Sequence, residues 1–132
     1  MSTFSSLEEA RTYFANDRYA AMSGITLDEL TEDGCVCSVT IEDKHRNALG
    51  GVMGGVIFTL ADFAFAVSVN NDHASTVALD ANIHFLSAPK GARLIARSAR
   101  VRSGRTTAVY EITIRDDLGK TVALFVGTGY KL

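Results

Sequence analysis

The chain has 132 residues, of which 47% are hydrophobic and 21% charged, with a formal net charge of −2. That length suffices for one domain, over residues 1–132, with a core that needs no disulfide or metal staple. The charge balance leaves no electrostatic footprint for nucleic acid or an anionic membrane, so neither is expected as a partner.

From the N-terminus, no basic region followed by an apolar run suggests a secretory leader. Ser6-Leu7-Glu8-Glu9 fits a capping box, and Leu7, Ala10 and Phe14 follow at helical spacing, so a short amphipathic helix is expected to about Ala15. Asn16 to Gly24 reads as a connector with a helical turn around Tyr19 to Met22. A strand from Ile25, a turn at Glu32-Asp33-Gly34 and a second strand arm from Cys35 to Glu42 come next. Cys35 and Cys37 lie two apart on that strand and share a face, a poor geometry for a disulfide. Two such ligands do not make a zinc site, so reduced thiols in a cytoplasmic protein are expected.

Asn47 to Asn71 organises the chain. It opens as a loop with Gly50, Gly51, Gly54 and Gly55, then stays apolar from Val56 to Val69 with Asp62 as the one charge. The run lacks the alternation of a half-buried strand and reads as a helix ending near Asn70-Asn71. Apolar character all round places such a helix inside a protein. The glycines leave free N–H groups at its start, an environment suited to developing negative charge. A solitary carboxylate inside an apolar helix is costly unless it is paired, hydrogen-bonded or used. Asp62 is therefore either a structural hydrogen-bonding group or a chemical one. A membrane span would need that carboxylate in its middle, at about 2.5–3.5 kcal/mol on insertion scales. A phosphate loop would need Lys-Ser/Thr where Val56-Ile57 stand.

After the helix the period becomes two. Strands are expected over Thr76 to Leu86, Ala92 to Arg102, Thr106 to Asp116 and Thr121 to Tyr130, with turns at Pro89, Ser103-Gly104 and Asp117-Leu118-Gly119. Short turns imply an antiparallel sheet, and the apolar helix is the element able to cover its face. No Gly-x-Ser-x-Gly elbow occurs, and His45, His73 and His84 show no ligand spacing, so no serine hydrolase, metal or cofactor is expected. Arg93, Arg97, Arg100, Arg102 and Arg105 cluster late in the chain, as a solvated sheet face or as phosphate contacts. Adjacent strand residues alternate faces, so Arg97 and Arg100 should lie on opposite surfaces unless a bulge intervenes.

The run Asn47-x-x-Gly50-x-x-Met53-Gly54-Gly55-x-x-x-x-Leu60-Ala61-Asp62 resembles the hotdog-fold acyl-CoA thioesterases, in particular the phenylacetate-pathway (PaaI-like) group. The similarity extends to Gly24-Ile25, Phe85-Leu86, Pro89-x-Gly91, Gly104-Arg105 and Gly119-Lys120-x-Val122-Ala123. It implies an α+β hotdog fold, a homodimer or dimer of dimers, and hydrolysis of an acyl-CoA thioester. Asn47, Gly54 and Asp62 fall on the family's active-site positions, and Met53 stands where that family usually has His. In such a reaction the Gly54 N–H would hold the oxyanion, and Asp62 would act as general base or as nucleophile. Asn47 would orient water or simply brace the loop. Met53, Gly55, Phe58 and Arg105 are the expected substrate contacts, with Phe58 either lining an aryl pocket or filling the core. The alternative function is a non-catalytic acyl-CoA-binding or sensing module, since Met53 removes a polar group. A hotdog dehydratase would want a catalytic His that the motif lacks.

Spacing adds an independent expectation. Asp62 lies eight residues after Gly54, roughly 12 Å along a helix axis. One aspartate side chain cannot close that gap, so the two roles would come from two copies of the helix.

Overall fold

A computed structural model of the chain describes residues 2–132. Helix α1 spans Leu7–Phe14, and Ser6 Oγ caps it by accepting the Glu9 N–H at 3.1 Å. The return bond of the expected capping box is displaced by one residue, since the Glu9 carboxylate accepts from the Ser5 N–H at 3.3 Å. Phe14 is buried at the end of α1 and meets Phe63 edge-on, with ring centroids 5.8 Å apart. Helix α2, Arg18–Met22, is the predicted turn, capped by Asp17, which accepts from the Ala20 N–H at 3.2 Å.

Strands β1 (Thr26–Thr31) and β2 (Gly34–Thr40) form the first hairpin. A 3-10 turn at Asp43–His45 and a loop lead to α3, Gly54–Asp72. Strands β3 (Thr76–Phe85), β4 (Arg93–Ser103), β5 (Thr107–Asp116) and β6 (Thr121–Lys131) complete one six-stranded sheet in the order β1-β2-β4-β5-β6-β3. Every pairing is antiparallel.

The inner face of the sheet wraps α3. On β5, Ala108, Tyr110, Ile112 and Ile114 are buried while Glu111 and Arg115 are exposed, the alternation expected of a strand with one covered face. On β6 the wrap is tight at Gly127, where a Cβ would sit 2.7 Å from the Phe65 ring, so only glycine fits. Cys35 and Cys37 do share the inner face as free, buried thiols, their sulfurs 3.7 Å apart. Arg97 pairs with Thr113 and Arg100 with Tyr110, on opposite faces as expected; the β4 bulge falls later, between Arg100 and Arg102.

α3 begins at Gly54, two residues before the apolar run, and ends at Asp72, one residue past the expected Asn70-Asn71. It is long and apolar enough to cross a membrane, but 56% of its most apolar stretch is buried within the fold. The helix thus forms the core around which the sheet closes.

One buried carboxylate secures the end of the sheet. Asp116 Oδ2 accepts the N–H groups of Lys90 (2.7 Å) and Gly91 (3.0 Å). Its Oδ1 accepts those of Leu118 (3.0 Å) and Lys120 (2.9 Å). These four donors, led by Lys90, hold the Asp116 pKa down to about 2. The β3–β4 connection and the β5–β6 turn are thereby tied to one side chain.

Candidate active site

The loop before α3 is held by backbone and side-chain bonds together. Asn47 Oδ1 accepts the N–H groups of Leu49 (3.0 Å) and Gly51 (3.1 Å), and the Asn47 N–H reaches the Gly51 carbonyl at 2.8 Å. Its side-chain carbonyl thus braces the turn. His45 fastens the other side. Its Nδ1 accepts the Glu42 N–H at 2.9 Å, which assigns the ring proton to Nε2, the donor to the Ser23 carbonyl at 2.7 Å. The Met53 N–H then bonds the His45 carbonyl at 2.8 Å, fixing where the helix starts.

Met53 is the N-cap and provides no side-chain acceptor. Among the described residues the Gly54 and Gly55 N–H groups have no partner, so the positive end of the α3 dipole is open. Phe85 of β3 stands against Gly54, where an added Cβ would come within 3.2 Å of the ring. Met53 bends its methyl group toward Gly55 and stays 54% exposed, flanking Tyr19 and Met22 across a shallow groove that Thr59 also lines.

Asp62 follows two turns along. Gly55, Thr59, Asp62, Ala66 and Asn70 form the incompletely buried stripe of α3. Asp62 makes no hydrogen bond or ion pair among the described residues. Its pKa is raised, first by burial and then by the charge of Asp17. The structure therefore brings Met53, Gly54 and Gly55 to one end of a face that carries Asp62 further along. Asn47 sits in the adjoining loop. Phe58 is half-buried and turns to the sheet, edge-on to Phe125 at 5.4 Å, packed against the core. Arg105 lies exposed in the β4–β5 turn, next to the opposite, C-terminal end of α3, because Ser103 bonds Asp72 there. The contacts of Phe85, Tyr19 and Asp17 had no sequence signal, since each depends on segments distant in the chain.

Residues 49–123 match the Thioesterase superfamily model. The chain belongs to the thioesterase superfamily. This thioesterase is similar to the acyl-coenzyme A thioesterase PaaI of Escherichia coli, 32% identical over 126 residues, covering 95% of this chain and 90% of the relative. A putative esterase of Deinococcus radiodurans is 39% identical over 112 residues, covering 83% and 76% of the two chains. The solved structure of the E. coli PaaI protein, from the phenylacetic acid degradation operon, superposes with a TM-score of 0.83 at 31% identity, covering 96% of each chain. The thioesterase is PaaI-like and has the hotdog fold, an antiparallel sheet around a long central helix.

Proposed function

We propose that this thioesterase hydrolyses an acyl-CoA thioester to the free acid and CoA, at a site shared by two copies of the chain. The observation that carries the proposal is the pairing of Asp62 with the Gly54 N–H, eight residues earlier on the same helix, both without a partner among the described residues. The spacing of roughly 12 Å exceeds what one substrate carbonyl can bridge, so Gly54 of one subunit serves with Asp62 of the other. The acyl-CoA class rests on the names of the PaaI and other relatives.

The Gly54 N–H donates a hydrogen bond to the thioester oxygen as negative charge grows on it. Water attacks the carbonyl carbon and gives its proton to Asp62, the C–S bond breaks, and the leaving CoA thiolate takes that proton, which returns Asp62 to its carboxylate form. Direct attack by Asp62 would pass instead through an acyl-aspartyl anhydride, which water then opens. Asn47 keeps the loop in register for the Gly54 donor. Gly55 and Met53 border the thioester, the half-buried Phe58 supports the acyl side from the edge of the core, and Arg105 meets the phosphates of CoA.

A homodimer, by itself or doubled into a tetramer, fits two further features. Edge strand β3 is exposed on nearly its whole length, with Leu79 58% and Phe85 56% accessible. The α3 stripe that holds Asp62 is likewise left incompletely covered by the chain's own elements. A cytoplasmic setting agrees with the two unpaired thiols.

Met53 favours a second reading, an acyl-CoA-binding module, because a thioether cannot donate the hydrogen bond that a histidine would. Release of free CoA from a panel of acyl-CoAs separates the two: turnover supports hydrolysis, and tight binding without turnover supports the module. Mixing Asp62→Asn subunits with Gly54→Pro subunits tests the shared site. Each homodimer should be inactive and the mixed dimer should regain one working site of two. Heterodimers that form and stay inactive would overturn the arrangement.

A further inference from the structure

The C-terminal end of α3 carries a polar cluster that the hydrolytic chemistry does not use. Asp72 accepts a hydrogen bond from Ser103 Oγ at 2.6 Å and ion-pairs with Arg100 at 3.5 Å and Lys131 at 3.7 Å. Lys131 Nζ donates to Ser103 Oγ at 2.7 Å and to the Gly104 carbonyl at 2.6 Å. The Lys131 side chain is only 12% exposed, a depth at which an ammonium group must be paired and hydrogen-bonded. Its backbone joins the grip, with the Lys131 N–H on the Thr106 carbonyl at 2.8 Å.

The result is a turn held from behind. Residues 103–106, between β4 and β5, are tied to the last strand and to the end of the central helix. Arg102 and Arg105 at this turn are exposed, and neither has a carboxylate in ion-pairing range among the described residues. The Arg102 guanidinium lies beside Gly104, 3.9 Å from where a Cβ would be. The nearby carboxylate of Asp72 is engaged by Ser103, Arg100 and Lys131, which keeps it from neutralising these two guanidiniums. A rigid turn with unpaired guanidiniums is preorganised for an anion with several oxygens.

We propose that the Asp72–Ser103–Lys131 cluster is a positioning device that holds Arg102 and Arg105 ready for the phosphate groups of CoA. This rests on the acyl-CoA reading above. Asp72 lies ten residues beyond Asp62 on one helix, about 15 Å along the axis. That is the scale of the pantetheine arm separating the thioester from the diphosphate, so one subunit can offer both Asp62 and the arginine-bearing turn to one substrate.

The test compares the same acyl group carried on CoA and on pantetheine, which lacks the phosphates. Arg105→Gln should raise KM for the CoA thioester about tenfold more than for the pantetheine thioester, the loss of one charge-assisted hydrogen bond. Lys131→Met should raise the acyl-CoA KM about three- to tenfold with kcat and the pantetheine KM little moved. Ser103→Ala should do the same more weakly, and serves if Lys131→Met does not fold. In an Arg105→Gln background Lys131→Met should add almost nothing, as expected of a residue acting through another. Asp72→Asn is the decisive arm. It removes a negative charge, so attraction alone would lower the acyl-CoA KM, whereas loss of positioning raises it. A lowered KM would overturn the proposal. So would an unchanged CoA-to-pantetheine KM ratio in Lys131→Met and Ser103→Ala while Arg105→Gln shifts it; phosphate recognition would then stand without the device. If Arg105→Gln itself does not shift the ratio, the phosphate assignment fails and the positioning device fails with it.

Discussion

Two aspartates of this thioesterase sit in opposite electrostatic situations. Asp116, 2% exposed, has its two oxygens filled by four backbone N–H groups, and its pKa falls to about 2. Asp62 lies among apolar helix residues with no partner among the described residues, and its pKa rises. Burial acts against the charged form at both sites; only at Asp116 does direct hydrogen bonding exceed it. The difference separates a carboxylate that closes the fold from one that no donor occupies among the described residues, the group on which the proposed hydrolysis rests. A site that keeps a charge unsatisfied gives up stability for reactivity, a common trade at catalytic positions.

The largest expected effect follows from Asp62→Asn, which keeps the shape but loses basicity and nucleophilicity. Steady-state assays should show activity lower by at least about 10² while Tm stays level or rises, since no native bond is lost and a poorly solvated charge is removed. Wild-type turnover in this variant would erase the functional half of the contrast.

Asp116→Asn should behave in reverse. Its amide nitrogen must face one of the two N–H pairs, so thermal melting should show Tm lower by about 5 °C or more, with kcat largely retained in the folded fraction. An unchanged Tm would mean that the four bonds contribute nothing net.

The two carboxylates also respond to acid with opposite signs. The native Asp116 pKa lies below the unfolded value of about 3.9, so its stabilisation is complete above that value and disappears as pH falls toward about 2. Asp62 has the opposite sign. The native state holds that proton more tightly than the unfolded chain, so its penalty is absent in acid and is felt above its raised native pKa. Melts between pH 2 and 5 (roughly the carboxylate range) should therefore lose the acid-dependent step in Asp116→Asn. The rise of kcat/KM with pH should have its midpoint above the ordinary aspartate value. A midpoint at or below that value would remove Asp62 from the rate-controlling ionisation.

The smallest change is expected at Met53. Met53→His restores a donor beside Gly54 and should raise kcat/KM by less than about tenfold, one ordinary hydrogen bond in size. A wild type without turnover that gains activity from this substitution would move the protein to the binding-module reading. No change in rate or affinity would make Met53 a packing residue.

The amino-acid sequence by itself determined the elements whose information is local. Period-two runs such as Ala108 to Ile114 became strands, and the long apolar run became the core helix, because side-chain periodicity decides which face can leave water. It also singled out Asp62, since one charge within an apolar helix is visible without any fold. The tertiary structure decided what depends on distant partners. Asn47, by contrast, was legible as a turn former, because the N–H groups it accepts, of Leu49 and Gly51, lie only two and four residues away. Arg105 could be read as a phosphate contact, yet its place at the far end of α3 from Gly54 follows from how β4, β5 and β6 meet Asp72. Asp116 read as an ordinary strand end, because the donors at Lys90 and Gly91 lie about 25 residues away in the chain and reach it only when the sheet has formed. Hydrogen bonds of that span carry no periodic signature, and whether a buried carboxylate is satisfied or left free is settled by the strands that arrive around it.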